Sequence, residues 1–177
     1  MIVSLIAVMS IDGLITRHDA GGVGFASAED GAHFRAELAR CDSSIFGSGT
    51  YDADREHIRR GIGLARSRRR IVLTSRPNAY RDDVVAGELE FSDASPSAAL
   101  DALRSAGHQR CALLGGGRVY GAFLAAGLVD ELVLTVEPVL FGAGVRLCAT
   151  QIDERFELRE HRMLNPSTLL LRYDRAG

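Results

Sequence analysis

The sequence has no long apolar run and no excess of either charge. Hydrophobic residues make up 46% of its 177 residues, yet no apolar stretch approaches the roughly 18 residues that a helix needs to cross a bilayer. The formal net charge at pH 7 is −2, which gives no electrostatic reason to bind nucleic acid or an anionic membrane. We therefore expect neither of them as a partner.

Cysteine is scarce, and the spacing of a metal site is missing. Cys41, Cys111 and Cys148 are odd in number, widely spaced and without a CxxC, which favours reduced thiols in a cytoplasmic protein. None of the five histidines has a Cys or carboxylate cluster at metal-ligand spacing, so we predict no metal. Repeats, low-complexity tracts and linkers are also absent, and residues 1–177 are expected to form one domain.

Apolar β-branched segments alternate with helical patterns along most of the chain. The clearest unit has a strand at Cys111–Leu114, a helix at Arg118–Ala126 and a strand at Glu131–Glu137. Its short links indicate parallel strands joined by a right-handed crossover. Farther on, Phe156–Met163 and Thr168–Tyr173 flank a Leu-Asn-Pro-Ser turn, which predicts an antiparallel hairpin. The sequence thus predicts a three-layer α/β domain with a mixed, mostly parallel sheet.

Helix signals are clear at some positions and weaker at others. Ser27 is expected to cap a helix that runs to about Arg40, with acidic residues in its first turn. A polar, arginine-rich helix is predicted from Tyr51 to the mid-60s. The run of residues 66–70, Arg-Ser-Arg-Arg-Arg, is interpreted as a solvated helix end rather than as a patch that attracts phosphorylated ligands.

Two glycine clusters lie where a strand gives way to a helix. Gly115, Gly116 and Gly117 form one, and the segment 47–50, Gly-Ser-Gly-Thr, forms the other. Backbone N–H groups at helix N-termini bind phosphate, and glycine lets the phosphate approach. Thr50 is expected to cap its helix and to bond a phosphate oxygen as well. A tight turn without a ligand is the alternative for each cluster.

A third strand end carries a hydroxyl and a guanidinium. Thr74, Ser75 and Arg76 follow an apolar strand, and ligands of open α/β sheets bind at the carboxyl ends of the strands. Arg76 suits an adenosine 2′-phosphate, because arginine grips phosphate bidentately. A plain turn before Pro77 is the alternative.

Several motifs together resemble the dihydrofolate reductase superfamily, and most closely its riboflavin-biosynthesis reductase domain. These motifs are LLGGGRVYGAFL followed by LVDELVLTVEPVLFGAGVRL, the opening MSIDGLIT, and the turn FGSGTYDAD. The resemblance covers most of the chain in the same order. It implies a mixed eight-stranded sheet, NADPH as hydride donor, a heterocyclic small molecule as substrate, and usually a homodimer.

The resemblance also implies which residues form the site. It places the phosphates of NADPH on Thr50 and the glycine triplet, and the adenosine ribose phosphate near Ser75 and Arg76. The expected cofactor-binding residues are Thr50, Ser75, Arg76, Gly115, Gly116, Gly117, Arg118 and Val119. The expected substrate contacts are Asp12, Ser27 and Glu137.

Three carboxylates are candidates for the catalytic group. Hydride transfer needs stabilisation of positive charge on the substrate, which a buried carboxylate provides. Asp12, Asp30 and Glu137 each lie near the predicted strand-end crevice. Asp12 has the alternative of capping the turn before Gly13, and Asp30 that of an exposed first-turn acid. Glu137, beside Pro138 at a strand end, is the hardest to explain structurally.

Two departures from the riboflavin-branch pattern keep alternatives open. The Pro-x-Leu element that helps hold a ribose phosphate is replaced by Arg55–Arg60, where Arg59 or Arg60 is a substitute candidate. The segment FASAEDGAHF instead resembles the dihydrofolate reductase helix, with Phe25, Asp30 and Phe34 in matching positions.

We therefore expect an NADPH-dependent reductase of a pyrimidine or pterin-type heterocycle. The first choice resembles 5-amino-6-(5-phosphoribosylamino)uracil reductase of riboflavin biosynthesis. The alternatives are a dihydrofolate reductase and an NADPH-binding protein without catalysis.

Overall fold

Eight strands form one mixed sheet in the computed structural model, which describes residues 1–63 and 68–177. The strands are β1 (Ile2–Ser10), β2 (Ser43–Gly47), β3 (Arg69–Leu73), β4 (Leu89–Ser92), β5 (Arg110–Leu113), β6 (Glu131–Glu137), β7 (Phe156–Met163) and β8 (Leu169–Arg175). The helices are α1 (Ala28–Ala39), α2 (Ser48–Ala53), α3 (Arg55–Arg60), α4 (Pro96–Ser105) and α5 (Gly117–Ala125), with a 3₁₀ segment at Pro77–Asp83.

The strand order across the sheet is β4-β3-β2-β5-β1-β6-β8-β7. The first six strands in this order are parallel to their neighbours, and β8 and β7 are antiparallel. The carboxyl ends of β1 to β6 therefore meet at one edge of the sheet. The predicted α/β fold with a mixed sheet and a C-terminal antiparallel hairpin is confirmed.

Apolar side chains of α4 and α5 bury one face of the sheet. Leu100, Leu103 and Phe123 are completely buried, and Tyr120 donates its hydroxyl proton to the carbonyl oxygen of Ile6 at 2.7 Å. Tyr120 and Phe123, which recur at helical spacing, are thus core residues that pack α5 against the sheet. Ser27 caps α1 as predicted, because its hydroxyl accepts from the N–H of Asp30 at 3.2 Å.

The segment after β2 differs from the prediction. Helix α2 begins at Ser48, directly after the strand, and Gly47 occupies its N-cap position. Thr50 lies inside the first turn, so the prediction that it caps the helix is wrong. The predicted single helix is also two short helices, because Asp54 leaves helical geometry with φ −132° and ψ 26°.

The prediction of a solvated helix end is wrong for Arg69 and Arg70, the last two residues of the arginine run. Arg69 and Arg70 begin β3, where alternation along the strand sends them to opposite faces of the sheet. Arg69 pairs with Glu90 on β4 at 2.8 Å, whereas Arg70 is buried. The strand that contains the following apolar residues therefore begins within the arginine run. Arg66 and Ser67 lie outside the described residues.

Within the described ranges, the helices are all too short or too polar to cross a membrane.

Replacing Tyr120 by phenylalanine tests the bond that joins α5 to β1. The change removes a buried hydrogen bond at a position that water does not reach, and we expect it to lower the free energy of unfolding by about 1–2 kcal/mol. Chemical denaturation measures the difference. Tyr80→Phe is the control, because the Tyr80 hydroxyl bonds the Asp52 carboxylate in an exposed place. Equal losses in both variants would contradict the assignment.

Candidate active site

A cleft of about 1830 Å³ opens along the carboxyl edge of the sheet. Its walls come from the loop after β1, from α1, from the start of α2, from the ends of β3 and β4, and from the glycine turn between β5 and α5. This is the edge at which the glycine clusters were predicted to bind a ligand. The predicted cofactor-binding residues all line it: Thr50, Ser75, Arg76, Gly115, Gly116, Gly117, Arg118 and Val119.

The three consecutive glycines have different reasons for lacking a side chain. Gly115 has φ +99°, and a Cβ there would lie 3.1 Å from the Tyr120 ring. A Cβ on Gly117 would lie only 2.5 Å from the carbonyl oxygen of Arg146. Gly116 has no such neighbour, since a Cβ there would meet only the Thr50 hydroxyl at 3.7 Å. The fold therefore requires Gly115 and Gly117, whereas the absence of a side chain at Gly116 leaves open space.

That open space lies between the two glycine clusters. The N–H of Gly47 donates to the carbonyl oxygen of Gly115 at 2.6 Å, which joins the two turns. Gly116 takes the N-cap position of α5, so the first N–H groups of this helix face the cleft without a capping side chain. Unpaired N–H groups and the positive end of the helix dipole favour an anion here.

Cationic side chains flank the same part of the cleft. Arg76 follows β3, and Arg118 lies in the first turn of α5. Among the residues that the structure describes, neither has an acidic side chain within 4 Å. Both guanidinium groups are therefore available to a negatively charged ligand.

Asp30 is the predicted catalytic carboxylate that lines the cleft. Its exposed fraction is 7%, so it is not an exposed first-turn acid. Burial raises the pKa of Asp30, and the negative charge of Glu137 raises it further, while the Thr135 hydroxyl opposes the rise. A carboxyl group with a raised pKa at a cleft wall is a frequent feature of catalytic sites.

Glu137 lies behind the cleft wall and does not line the cleft. Its side chain is 3% exposed. One carboxylate oxygen accepts from the backbone N–H of Ser27 at 2.7 Å, and the other accepts from the Thr168 hydroxyl at 2.7 Å. Glu137 therefore holds the start of α1, and with it Asp30, against the end of β6. Its predicted catalytic and substrate-binding roles stay predictions.

Asp12 also lies outside the lining of the cleft. Its carboxylate accepts from the Ser10 hydroxyl at 2.6 Å and from the N–H groups of Phe141 and Gly142 at 3.3 and 2.8 Å. These hydrogen bonds lower the pKa of Asp12. The contacts join the turn after β1 to the loop after β6. This role is similar to the alternative in which Asp12 caps the turn before Gly13. Ser27, by contrast, lines the cleft.

The arginines proposed as substitutes for the missing ribose-phosphate element have other contacts. Arg59 bonds the Asp83 carboxylate at 3.1 Å, and neither Arg59 nor Arg60 lines the cleft. Two arginines of the run that was interpreted as a solvated helix end, Arg68 and Arg70, do line the cleft. Alternation along a strand at Arg69–Leu73 would have indicated that Arg70 faces a different side from Arg69.

No group of three or more His, Cys, Asp or Glu side chains within residues 1–63 and 68–177 is arranged to hold a metal ion.

The fold and the cleft define the chain as a dihydrofolate reductase-like α/β domain. The sequence profile of the RibD C-terminal domain matches residues 2–170, and the chain therefore belongs to that family. The family is one of reductases of riboflavin biosynthesis, so the chain belongs to a family of oxidoreductases.

Solved structures share the fold at low identity. A protein from Shewanella sp. PV-4 ascribed to riboflavin biosynthesis is 22% identical, with a TM-score of 0.73 and 100% of both chains covered. A pyrimidine reductase-like protein from Corynebacterium diphtheriae is 17% identical, with a TM-score of 0.75 over 99% of this chain and 92% of that one.

A bifunctional structure shares the fold over part of its length. It is the diaminohydroxyphosphoribosylaminopyrimidine deaminase/5-amino-6-(5-phosphoribosylamino)uracil reductase of Thermotoga maritima, which is 16% identical with a TM-score of 0.80. The alignment covers 99% of this chain and 56% of the Thermotoga chain, so this chain spans little more than half of its length. No curated protein matches this chain significantly.

The raised pKa of Asp30 predicts a pH-dependent loss of stability. The folded state holds the Asp30 proton more tightly than the unfolded state, in which the pKa is 3.8. The folded state is therefore most stable below about pH 4, where Asp30 is protonated in both states. This stability is lost as the pH rises through the raised pKa and the buried carboxyl group becomes charged. We expect Asp30→Asn to raise the Tm at pH 7 by about 2–4 °C, and this gain to shrink towards pH 4.

Asp12→Asn is the matched control, because the pKa of Asp12 is lowered whereas that of Asp30 is raised. The lowered pKa of Asp12 stabilises the fold above pH 3.8, so this variant is expected to lose Tm at pH 7. Thermal melts between pH 4 and 8 measure both variants. A fall in Tm at pH 7 for Asp30→Asn would contradict the assignment.

Proposed function

We propose that this protein is an NADPH-dependent reductase of a pyrimidine or pterin-type heterocycle, closest to the aminopyrimidine reductase of riboflavin biosynthesis. The observation that carries the proposal is the position of Asp30. It is a buried carboxylate on the wall of the same cleft that holds the glycine turn between β5 and α5. An anion-binding turn and a carboxylate in one cleft suit a phosphorylated cofactor and a heterocycle with N–H groups.

The residues at the strand ends fit NADPH. The backbone at Gly116 and the hydroxyl of Thr50 face the space where its pyrophosphate would bind. Ser75 and Arg76 are the proposed contacts of the adenosine 2′-phosphate, and Arg118 adds a second guanidinium beside the phosphates. When bound, NADPH supplies the hydride that reduces the substrate.

Asp30 is the proposed catalytic residue. A carboxylate accepts hydrogen bonds from amino and ring N–H groups of a heterocycle, and it stabilises positive charge that develops beside the reduced carbon. Its raised pKa brings the protonated form closer to neutral pH, which suits a group that holds or donates a proton. Apolar Phe34 and Leu38 lie on the same wall of the cleft.

Glu137 is proposed as a positioning residue. Its carboxylate binds the N–H of Ser27, and the Ser27 hydroxyl binds the N–H of Asp30. It therefore acts on Asp30 through the N-cap of α1, and its negative charge contributes to the raised pKa of Asp30.

Reduction of dihydrofolate is the second candidate. A specific observation favours it, namely that Asp30 and Phe34 lie one helical turn apart on the cleft-facing side of α1, in the pattern of the dihydrofolate reductase helix. A protein that binds NADPH without catalysis is the third candidate. We also propose that residues 1–177 act as one domain, in a homodimer in the cytoplasm.

Replacing Gly116 by alanine tests the phosphate site. Its φ of −77° and ψ of −165° suit alanine, and a Cβ meets only Thr50 at 3.7 Å, so we expect the Tm to stay unchanged. The methyl group enters the phosphate space, and the Kd for NADPH should rise about tenfold or more, the loss of one charge-assisted hydrogen bond. Isothermal titration calorimetry measures it.

Gly117→Ala is the contrasting variant, because its Cβ would lie 2.5 Å from the Arg146 carbonyl oxygen. We expect it to lower the Tm without ligand. If Gly116→Ala binds NADPH as tightly as the unchanged protein does, the phosphates bind elsewhere.

Turnover of two substrates tests the reaction. The protein is mixed with NADPH and either 5-amino-6-(5-phosphoribosylamino)uracil or dihydrofolate, and NADPH absorbance is followed. We expect oxidation of NADPH with the pyrimidine. Asp30→Asn should lower kcat by about 10²–10⁴-fold, because the general acid–base group is lost, while Kd for NADPH is unchanged.

Glu137→Gln separates positioning from catalysis. It keeps an acceptor for Ser27 but removes the charge beside Asp30, so we expect a shift of the pH profile of kcat to lower pH with a smaller loss of rate. Turnover of dihydrofolate alone would favour the second candidate. Tight binding of NADPH without turnover of either substrate would favour the non-catalytic protein.

A further inference from the structure

Strands β3 and β4 end side by side at one margin of the cleft. They pair in parallel with Leu73 opposite Ser92, and the N–H of Thr74 donates to the carbonyl oxygen of Ser92 at 2.9 Å. Arg76 follows β3, Asp93 follows β4, and both residues line the cleft. Since neighbouring strands are about 4.8 Å apart, a guanidinium and a carboxylate border the same small part of the cleft.

The turn between β4 and α4 is built without the carboxylate of Asp93. Ser95 caps α4 by accepting from the N–H of Ala98 at 3.3 Å, and the Ser92 hydroxyl accepts from the N–H of Ala94 at 3.1 Å. Asp93 is exposed, and no cationic side chain within residues 1–63 and 68–177 comes within 4 Å of it. Its negative charge is therefore available to a ligand in the cleft.

Arg76 and Asp93 suit different forms of an adenine dinucleotide. In dinucleotide-binding α/β folds, an acidic residue accepts a hydrogen bond from the 2′-hydroxyl of the adenosine ribose, whereas an arginine accommodates a 2′-phosphate in the same place. The acidic residue thus belongs to sites for NADH, and the arginine belongs to sites for NADPH. This chain has one residue of each type, at neighbouring strand ends.

The charges at these two strand ends nearly cancel. Of the arginines that line the cleft in the described part of the chain, Arg70 lies in β3 near its start, Arg68 lies just before that strand, and Arg118 lies in α5. Arg76 is therefore the arginine at the carboxyl end of β3, and Asp93 opposes it with one negative charge. A 2′-phosphate gains less here than it would from an arginine without an acidic neighbour.

We propose that the cofactor site takes NADH as well as NADPH, with the 2′-hydroxyl of NADH donating to Asp93 and the 2′-phosphate of NADPH bound by Arg76. This inference rests on the proposed function, because it assigns the adenosine to the ends of β3 and β4. The dihydronicotinamide ring is the same in both nucleotides. The substrate therefore gains the same hydride from either one and the same proton from Asp30, and the nucleotide is left as NAD⁺ or NADP⁺.

Substitutions at the two strand ends test the assignment by binding alone. Isothermal titration calorimetry gives the Kd of NADPH and of NADH for the unchanged protein, Asp93→Asn and Arg76→Gln. Asp54→Asn is the matched control, because Asp54 is also an exposed acid that lines the cleft. It lies between α2 and α3, and its side chain makes no capping hydrogen bond. Thermal melts check that each variant folds.

Asp93→Asn should move the two affinities in opposite directions. We expect the Kd of NADPH to fall about three- to tenfold, because a negative charge beside the phosphate is removed. The Kd of NADH should rise about three- to tenfold, because a charge-assisted hydrogen bond in an exposed place becomes a neutral one. The unchanged protein should bind NADH no more than about tenfold more weakly than NADPH.

The other two variants should behave differently from Asp93→Asn. Arg76→Gln should raise the Kd of NADPH about tenfold or more and leave that of NADH unchanged. Asp54→Asn should change both Kd values by the same factor, because the two nucleotides differ only at the 2′ position.

Salt separates the two effects of Asp93. An increase in ionic strength from about 0.1 to 1 M shortens the Debye length from about 10 to 3 Å. The gain in NADPH affinity in Asp93→Asn should then shrink, because it comes from charge repulsion. The loss of NADH affinity should persist, because it comes from a hydrogen bond.

Two results would overturn the assignment. One is that the unchanged protein binds NADPH but binds NADH more than about tenfold more weakly. The other is that Asp93→Asn changes the two Kd values in the same direction, as Asp54→Asn does, or leaves both unchanged. Binding of neither nucleotide to the unchanged protein would instead refute the proposed reductase itself.

Discussion

The buried carboxylate of Glu137 connects the three elements on which the cleft depends. It lies at the end of β6, and its two oxygens bind the first residue before α1 and a hydroxyl just before β8. The anionic charge is nearly inaccessible to water, and a buried carboxylate requires strong donors to be tolerated. The N–H of Ser27 and the hydroxyl of Thr168 supply them. The N-terminus of α1 is thereby set against the sheet, and the position of Asp30 in the cleft follows from it.

This arrangement places the carboxyl groups of Glu137 and Asp30 near each other in different surroundings. Glu137 has two short hydrogen bonds, whereas Asp30 faces the cleft with the Thr135 hydroxyl as its nearby donor. Burial raises the pKa of Asp30, and the negative charge of Glu137 adds to that rise. A carboxyl group whose pKa is raised by burial and by a neighbouring charge is a recurrent feature of sites for acid–base chemistry. The burial of Asp30 reduces folding stability once its carboxyl group is charged, as is common at functional sites.

Local patterns in the sequence were sufficient to predict the fold and the side of the cleft that the glycine turn forms. Glycines between an apolar strand and an apolar helix predicted the turn at Gly115–Gly117, because both the strand and the helix are specified by neighbouring residues. The contact between Glu137 and Ser27 spans 110 residues, and no local pattern reports on it. The same holds for Asp12, whose partners Phe141 and Gly142 come from a distant loop.

The two wrong predictions concern residues whose preference for one secondary structure is weak. Arg69 and Arg70 suit a helix as well as a strand, and pairing with β2 and β4 decides in favour of the strand. Thr50 is a good capping residue, yet β2 leads into α2 without a loop, so the cap falls to Gly47. In both cases the sheet determines where a neighbouring element begins, and a pattern of side chains along the chain does not contain that information.

The loop after β1 and the loop after β6 are joined to each other beside the glycine turn between β5 and α5. The segment after β1 bonds the segment after β6 through the N–H of Ile15 to the carbonyl oxygen of Val145 at 2.8 Å and the N–H of Leu147 to that of Gly13 at 3.0 Å. The Arg146 carbonyl oxygen in turn lies against Gly117 at the start of α5. Val145 and Ile15 both line the cleft. A displacement of the loop after β1 therefore moves the chain that lies against Gly117, because main-chain hydrogen bonds link the two loops directly.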